Sequence, residues 1–325
     1  MQITETGSSL LYPLWNIWQP AFEKARPDIQ LTTGSTGSGV GISDAIAGLV
    51  QIGSSDAYIS DSQAAQNPDL LNIPLAISAQ QVMYNLGSLD SQHLNLSGRI
   101  LAGIYSGKIA YWNDPAIAAA NPGVALPHTT IVPVRRTDGS GDTFIFTQYL
   151  SDSAASAWTA GYGTAISWPP VLYEVGGNGN QGVEQALKQT PGSIGYVGIS
   201  WLAVATKDGL GYAALQNKAG SYELPAADTI AAAVAALAGH TPPNERISLI
   251  FAPGADSYPI INFEYAIVNR KQPSAQLASD LQALLNWAID GSGGNAAGFL
   301  GPVSFQPLPP SVVALSQTQI NEIAG

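Results

Sequence analysis

At 325 residues the chain exceeds the length at which one hydrophobic core usually stops growing, so two lobes are expected. Hydrophobic residues make up 46% of it and charged residues only 11%, which excludes an intrinsically disordered protein. Lys and Arg number 12 against 23 Asp and Glu, and the net charge of −11, with no basic run, excludes nucleic acid and anionic membrane as partners.

In chain order, Ile29–Thr33 is β-branched and reads as a strand. Ile42 to Val50 carries apolar residues at Ile42, Ala45, Ile46 and Leu49, the spacing of one helical face. Ile131–Val134 reads as a strand and Thr143–Leu150 as a helix. Ser193–Val197 is a strand, Asp228–Leu237 a helix, Ile247–Phe251 a strand and Ala275–Ala288 a helix. This alternation predicts an α/β protein with mostly parallel sheets covered by helices on both faces.

No cysteine is present, so disulfides and thiol ligands are unavailable. His93, His128 and His240 never stand at metal-ligand spacing, and no cofactor is expected. The longest strongly apolar stretch, Ile230–Ala238, is well short of the ~20 residues that span a bilayer. No basic and apolar leader precedes the first structured pattern, which fits a cytosolic protein or one whose targeting segment has been removed.

In parallel sheets ligands sit beyond the strands' carboxyl ends, where loops turn into helix N-termini. Four Gly/Ser segments precede or open helical patterns: Gly7-Ser8-Ser9, Gly34–Gly41, Gly139-Ser140-Gly141 and Gly176–Gly182. Each alone is ordinary turn chemistry. Repeated at strand-to-helix junctions, they offer unpaired N–H groups and positive dipole ends to an anion.

Thr36-Gly37-Ser38-Gly39-Val40-Gly41 lacks the Lys of a phosphate-cradling Walker loop, and its third Gly comes too early for a dinucleotide fingerprint. Ser38 is either a ligand hydroxyl or a plain helix cap. Asp56, in Gly53-Ser54-Ser55-Asp56-Ala57, is either a strand-end turn residue or a ligand group.

The strongest local signal is Arg135-Arg136-Thr137-Asp138-Gly139-Ser140-Gly141-Asp142-Thr143. An Arg fork pairs with two oxygens of a tetrahedral anion, and a Ser hydroxyl with helix N–H groups supplies further donors. The competing reading is an ordinary salt-bridged Arg with an Asp cap. Two carboxylates, Asp56 and Asp142, beside an anion site imply an anion that still carries a proton. Sulfate has none to donate, and an unpaired buried carboxylate costs about 1–3 kcal/mol or more.

These motifs resemble the phosphate-specific substrate-binding proteins of ABC importers, the PstS family. Its marks are Thr6-Gly7-Ser8-Ser9-Leu10-Leu11-Tyr12-Pro13, Gly37-Ser38-Gly39, Gly53–Ala57 and Arg136–Thr143. Gly192–Gly198, Tyr258–Tyr265 and Phe305–Pro310 follow in family order, so the likeness spans nearly the whole chain. It is greatest to the cell-surface lipoprotein branch of Gram-positive bacteria.

The resemblance implies a periplasmic-binding-protein-like fold (type II). Lobe I would be 1–79 plus 269–325, lobe II 87–257, and the crossover strands 80–86 and 258–268 the hinge. It places phosphate ligands at Ser9, Leu10 (through its N–H), Ser38, Asp56, Arg136, Ser140, Gly141 and Asp142. Asp142 stands where other members have Thr, which adds a second acceptor. The implied protein is no enzyme. It would be an extracytoplasmic monomer that closes around inorganic phosphate and delivers it to a membrane permease. The lipid-attachment Cys of the branch is missing, as in a mature or trimmed form.

The alternatives are a receptor for sulfate or molybdate, and a serine hydrolase or phosphatase using Ser38 or Ser140. The latter lacks a Gly-x-Ser-x-Gly elbow.

Overall fold

The computed structural model describes residues 1–325. The strands are β1 (Gln2–Gly7), β2 (Gln30–Thr32), β3 (Ile52–Ser55), β4 (Leu70–Tyr84), β5 (Asn95–Leu96), β6 (Val132–Arg136), β7 (Val175–Gly177), β8 (Ser193–Gly198), β9 (Gly211–Tyr212), β10 (Ala214–Gln216), β11 (Tyr222–Glu223) and β12 (Ile261–Asn269). The first six α-helices are α1 (Tyr12–Ala25), α2 (Ser38–Ala47), α3 (Asp61–Gln66), α4 (Gly98–Tyr105), α5 (Pro115–Ala120) and α6 (Gly141–Ser153). The remaining six are α7 (Gly179–Gln189), α8 (Leu202–Lys207), α9 (Ala227–Leu237), α10 (Ala275–Ile289), α11 (Ala297–Leu300) and α12 (Pro310–Asn321).

The main sheet runs β2-β1-β3-β12-β4-β8-β6-β7, with β9 also on β4. β2, β1 and β3 are mutually parallel, and so are β8, β6 and β7. The long antiparallel strands β12 and β4 stand between these two parallel groups. β4 is buried along its whole length. Its first part pairs with β12, and from Gln80 to Tyr84 it pairs with β8. Two α/β lobes are thus strung on shared strands.

Helix ends follow local chemistry. Ser140 caps α6 by accepting Thr143 N–H at 3.2 Å, and Ser274 caps α10 by accepting Leu277 N–H at 3.2 Å. α2 stops at Ala47, short of the Val50 expected from its periodicity, because Gly48 turns left-handed at φ 68°. In the core, Trp15 and Trp18 meet edge to face at 5.1 Å, and Trp18 Nε1 donates to Gly294 O at 2.9 Å. That bond ties the first helix to the C-terminal region.

Ile247–Phe251 is not a strand, contrary to the expectation from its β-branched residues. Glu245 and Phe251 take positive φ values (52° and 56°), which turn the chain away from an extended path.

Glu5 on β1 is buried; its Oε1 has no donor, and Gly34 N–H reaches Oε2 only at 3.4 Å. Burial lifts its carboxyl from 4.5 to about 8, against the weaker pull of Ser54 and Gly34. The folded chain therefore holds this proton through a pH range where the unfolded chain has lost it. Stability is lost as pH rises through that window. Glu5→Gln should raise the thermal midpoint by roughly 3–10 °C near pH 9, with the gain vanishing towards pH 4.5. Scanning calorimetry across that range checks it.

Candidate functional site

The parallel strands β1, β3, β6 and β7 all end at the seam between the two groups, and helices α2, α6 and α7 start there. Each strand end delivers one part of the site: Ser8 and Ser9 after β1, Asp56 after β3, and Arg136–Asp142 after β6. Gly179 and Asn180 open α7 after β7.

Asp56 is buried at 2% exposure. One oxygen accepts the Ser8 hydroxyl, and the other lies 3.3 Å from the Ser38 hydroxyl. Ser8 Oγ in turn accepts the N–H groups of Leu10 and Leu11 at 3.1 and 2.9 Å. The Leu10 N–H, expected to serve a ligand, thus already has a protein acceptor within reach. Gly141 sits directly across the seam from Asp56. A Cβ there would stand 2.6 Å from both Ser38 Oγ and Asp56 Cβ, and closer still to Asp56 Oδ2, so only glycine fits.

Arg136 is equally buried and gripped on two sides. Its Nε and Nη2 form a bidentate pair with Asp138 at 2.8 and 2.5 Å, and Nη1 meets Asp142 Oδ2 at 2.6 Å. Of five N–H donors three are used; one on each terminal nitrogen remains. Asp142 also accepts Gln80 Nε2 at 2.9 Å and Asn180 Nδ2 at 2.7 Å, so protein donors already serve both of its oxygens. Asn180 is pinned by Gly198 N–H to its Oδ1 at 2.7 Å. It gives its own N–H and amide to Ser9 Oγ, both at 3.0 Å, which leaves the Ser9 hydroxyl proton free.

Four backbone N–H groups here, of Ser9, Ser38, Gly141 and Asp142, are buried and have no hydrogen-bond acceptor. Orphaned buried N–H groups are rare in folded proteins, and their gathering at helix starts is the arrangement of an anion cradle. All eight sequence-predicted residues meet in this one seam. An adjoining cavity of about 480 Å³, lined by Arg135, Thr137, Gly139 and Trp168 among others, borders Arg136 but reaches neither Asp56 nor Ser38.

Electrostatics separate the carboxyls. Burial, then the charge of Asp142, pushes Asp56 up to about 7, against the Ser8 bond and Arg136. Burial also raises Asp142, with Arg136, Gln80 and Asn180 opposing. Asp138 is held below the ordinary carboxylate value: burial would raise it, but Arg136 prevails. Neither site serine has a histidine partner: His128 pairs with Asn113 and His93 with Tyr212 O.

A PBP superfamily domain matches residues 1–292. The phosphate-binding protein PstS of Xylella fastidiosa is 35% identical over 315 residues, covering 96% of this chain and 83% of its own length. PstS of Pasteurella multocida is 34% identical over 319 residues, covering 98% and 89%. The chain belongs to the PstS family of phosphate-binding proteins. The fold agrees: the crystal structure of a phosphate-binding protein from Stenotrophomonas maltophilia superposes with a TM-score of 0.74 at 19% identity, covering 98% of this chain and 93% of that one.

Ser8, Asn180, Gln80 and Asp138 escape the sequence reading of the PstS-like site. Asn180 lies inside the fourth Gly-rich junction, Gly176–Gly182, and Ser8 beside Ser9, so the sequence carries a signal for both. Gln80 comes from the interior of a long strand and had none.

Removing Arg136 strands Asp138 and Asp142 without their cation. Breaking a buried pair in this way costs about 3–5 kcal/mol. Arg136→Ala should lower the ligand-free unfolding free energy by roughly that amount in urea titrations. A loss below about 1 kcal/mol would mean that neither carboxylate depends on the cation.

Proposed function

We propose that this protein binds inorganic phosphate between its two lobes and delivers it to the membrane permease of an ABC importer. It works as a receptor and not as an enzyme. The observation that carries the reading is a cluster of buried N–H groups without acceptors set beside a buried carboxylate, Asp56. Donors alone suit any tetrahedral oxyanion. A carboxylate among them suits only one that brings its own proton, as phosphate does near neutral pH.

In this reading Ser9, Ser38, Ser140, Gly141 and Asp142 donate through hydroxyl or backbone hydrogens, and Leu10 N–H adds another if the ligand displaces its bond to Ser8. Arg136 offers its two remaining N–H groups to two oxygens, and Asp56 accepts the ligand's proton. The Asp142 carboxylate holds Arg136 in position. Charge-assisted bonds contribute about 1.5–3 kcal/mol each, so a few net bonds reach the roughly −8 kcal/mol of micromolar affinity.

The lobes in this proposal are 1–79 with 269–325, and 87–257, hinged at 80–86 and 258–268. The switch of β4 from β12 to β8 at Gln80 supports that hinge. Phosphate touching both lobes would favour the closed form, which the permease would recognise. The working unit is a monomer outside the cytoplasm, and no helix is long and apolar enough to cross a membrane.

Calorimetry with phosphate and sulfate tests the function. The wild type should bind phosphate with micromolar or tighter affinity and sulfate at least about 100-fold more weakly. Asp56→Asn should narrow that gap to below about tenfold, because an amide tolerates an unprotonated oxygen. Gly141→Ala should abolish both, since its methyl collides with Asp56 and Ser38 before the seam closes. Equal affinities for the two anions in the wild type would overturn the proposal.

A further inference from the structure

Behind Asp56 lies a second carboxyl that the binding reading does not use. Glu264, on β12, is fully buried. The β12–β4 register shifts between Glu264, opposite Ala76, and Tyr265, opposite Pro74, and bulges of this kind re-aim side chains. Tyr265 pairs with Ser55 on the other edge, which brings Glu264 alongside the end of β3, just before Asp56. Glu264 Oε1 accepts Ser78 Oγ at 2.5 Å and Asn262 Nδ2 at 3.0 Å. Its Oε2 receives no N–H or hydroxyl donor. The carboxyl of Asp56 is its neighbour: the Asn262 amide that reaches Glu264 Oε1 also reaches Asp56 O at 3.2 Å.

Two buried carboxyls in such contact cannot both be ionised, and one proton must lie between them. Their surroundings decide its place. Asp56 has the Ser8 and Ser38 hydroxyls and feels the charge of Arg136. Glu264 has no cation beside it. The ionisable groups around the pair are Asp142 and Arg136 beyond Asp56, and Tyr265 next along the strand, whose hydroxyl donates to Glu245 O. From β4 the pair meets only the hydroxyl of Ser78. Burial first and the charge of Asp56 second hold the Glu264 proton well above the ordinary range.

We propose that Glu264 is a specificity-determining positioning residue: a neutral acid in the crossover strand whose O–H donates to Asp56 and keeps it an ionised acceptor. This rests on Asp56 accepting the ligand's proton. Without that donor Asp56 would take up a proton itself, become a donor, and lose its ground for rejecting an unprotonated anion.

The experiment measures phosphate and sulfate affinities from about pH 5 to 9 in wild type, Glu264→Gln and Glu264→Leu. The amide of Glu264→Gln still donates to Asp56, so its discrimination profile should follow the wild type. Glu264→Leu should lose about tenfold or more of its phosphate preference just above pH 7, where Asp56 of the wild type is ionised, and regain it towards pH 9, as Asp56 ionises again. If Glu264→Leu keeps the wild-type profile, or Glu264→Gln fails as badly as Glu264→Leu, the assignment is overturned.

Should Glu264→Leu not fold, infrared spectroscopy at neutral pH decides. The wild type should show a protonated-acid carbonyl band that Glu264→Gln lacks, and identical bands overturn the assignment. A wild type that prefers neither anion would bring down the phosphate reading too, whereas failure confined to the variants touches Glu264 alone.

Discussion

Arg136 is outnumbered. Its single positive charge is shared between Asp138 and Asp142, and Asp56 lies just beyond, all with little access to water. An anion drawn here by net charge alone would be repelled. What remains attractive is local and directional: two leftover guanidinium N–H groups and backbone donors at the starts of α2 and α6. Asp138 and Asp142 fix the plane of the fork, so the arginine acts through geometry as much as through charge. The chain's overall charge of −11 is compatible with anion binding for the same reason. The screened outer surface matters little to a buried seam.

The same constraint explains the glycines. Apart from Arg136 and the serine hydroxyls, the donors come from the backbone, because further side-chain cations would swamp the distinction between protonated and unprotonated ligands. Backbone can approach backbone only where no Cβ intervenes. Gly39 N–H donates to Gly139 O at 2.8 Å across the seam, and Gly141 closes onto Asp56 and Ser38. Around them Ser200 Oγ reaches Leu10 O at 2.7 Å, and Trp201 Nε1 reaches Ser9 O at 3.0 Å. These bonds do not involve a ligand. They hold the donors in place in advance and reduce the ordering that a ligand must supply.

Much of this was legible in the sequence because the donors sit at strand-to-helix junctions, and such junctions announce themselves through Gly, Ser and Asp. Arg136 to Asp142 could be placed at one end of a helix from a handful of consecutive residues. The partners that tune those groups come from elsewhere. Gln80 and Glu264 lie inside long buried strands, where a polar residue in an apolar run does not say which distant group it will meet. Asn180 lies in a Gly-rich junction, but its contact with Ser9 spans the whole seam. Ile247–Phe251 shows the opposite failure: its β-branched composition suggests a strand, yet the left-handed residues Glu245 and Phe251 turn the chain out of one.

The two long strands also explain why the seam can be polar at all. A purely aliphatic crossover would leave Asp56 and Asp142 facing hydrocarbon, where their charge would be untenable. Instead β4 supplies Gln80 to Asp142 and Ser78 to Glu264, while β12 supplies Glu264 to Asp56 and Asn262 to Glu264. Each carboxylate is therefore backed by a residue of a strand that runs between the lobes. Asn262 Nδ2 also reaches Asp56 O at 3.2 Å, and Tyr258 Oη donates to Gln80 O at 2.8 Å, so the backing residues are themselves fixed. A movement of the lobes about these strands would shift the support of both carboxylates together. Acceptor chemistry and lobe geometry are in this way parts of one hydrogen-bonded network.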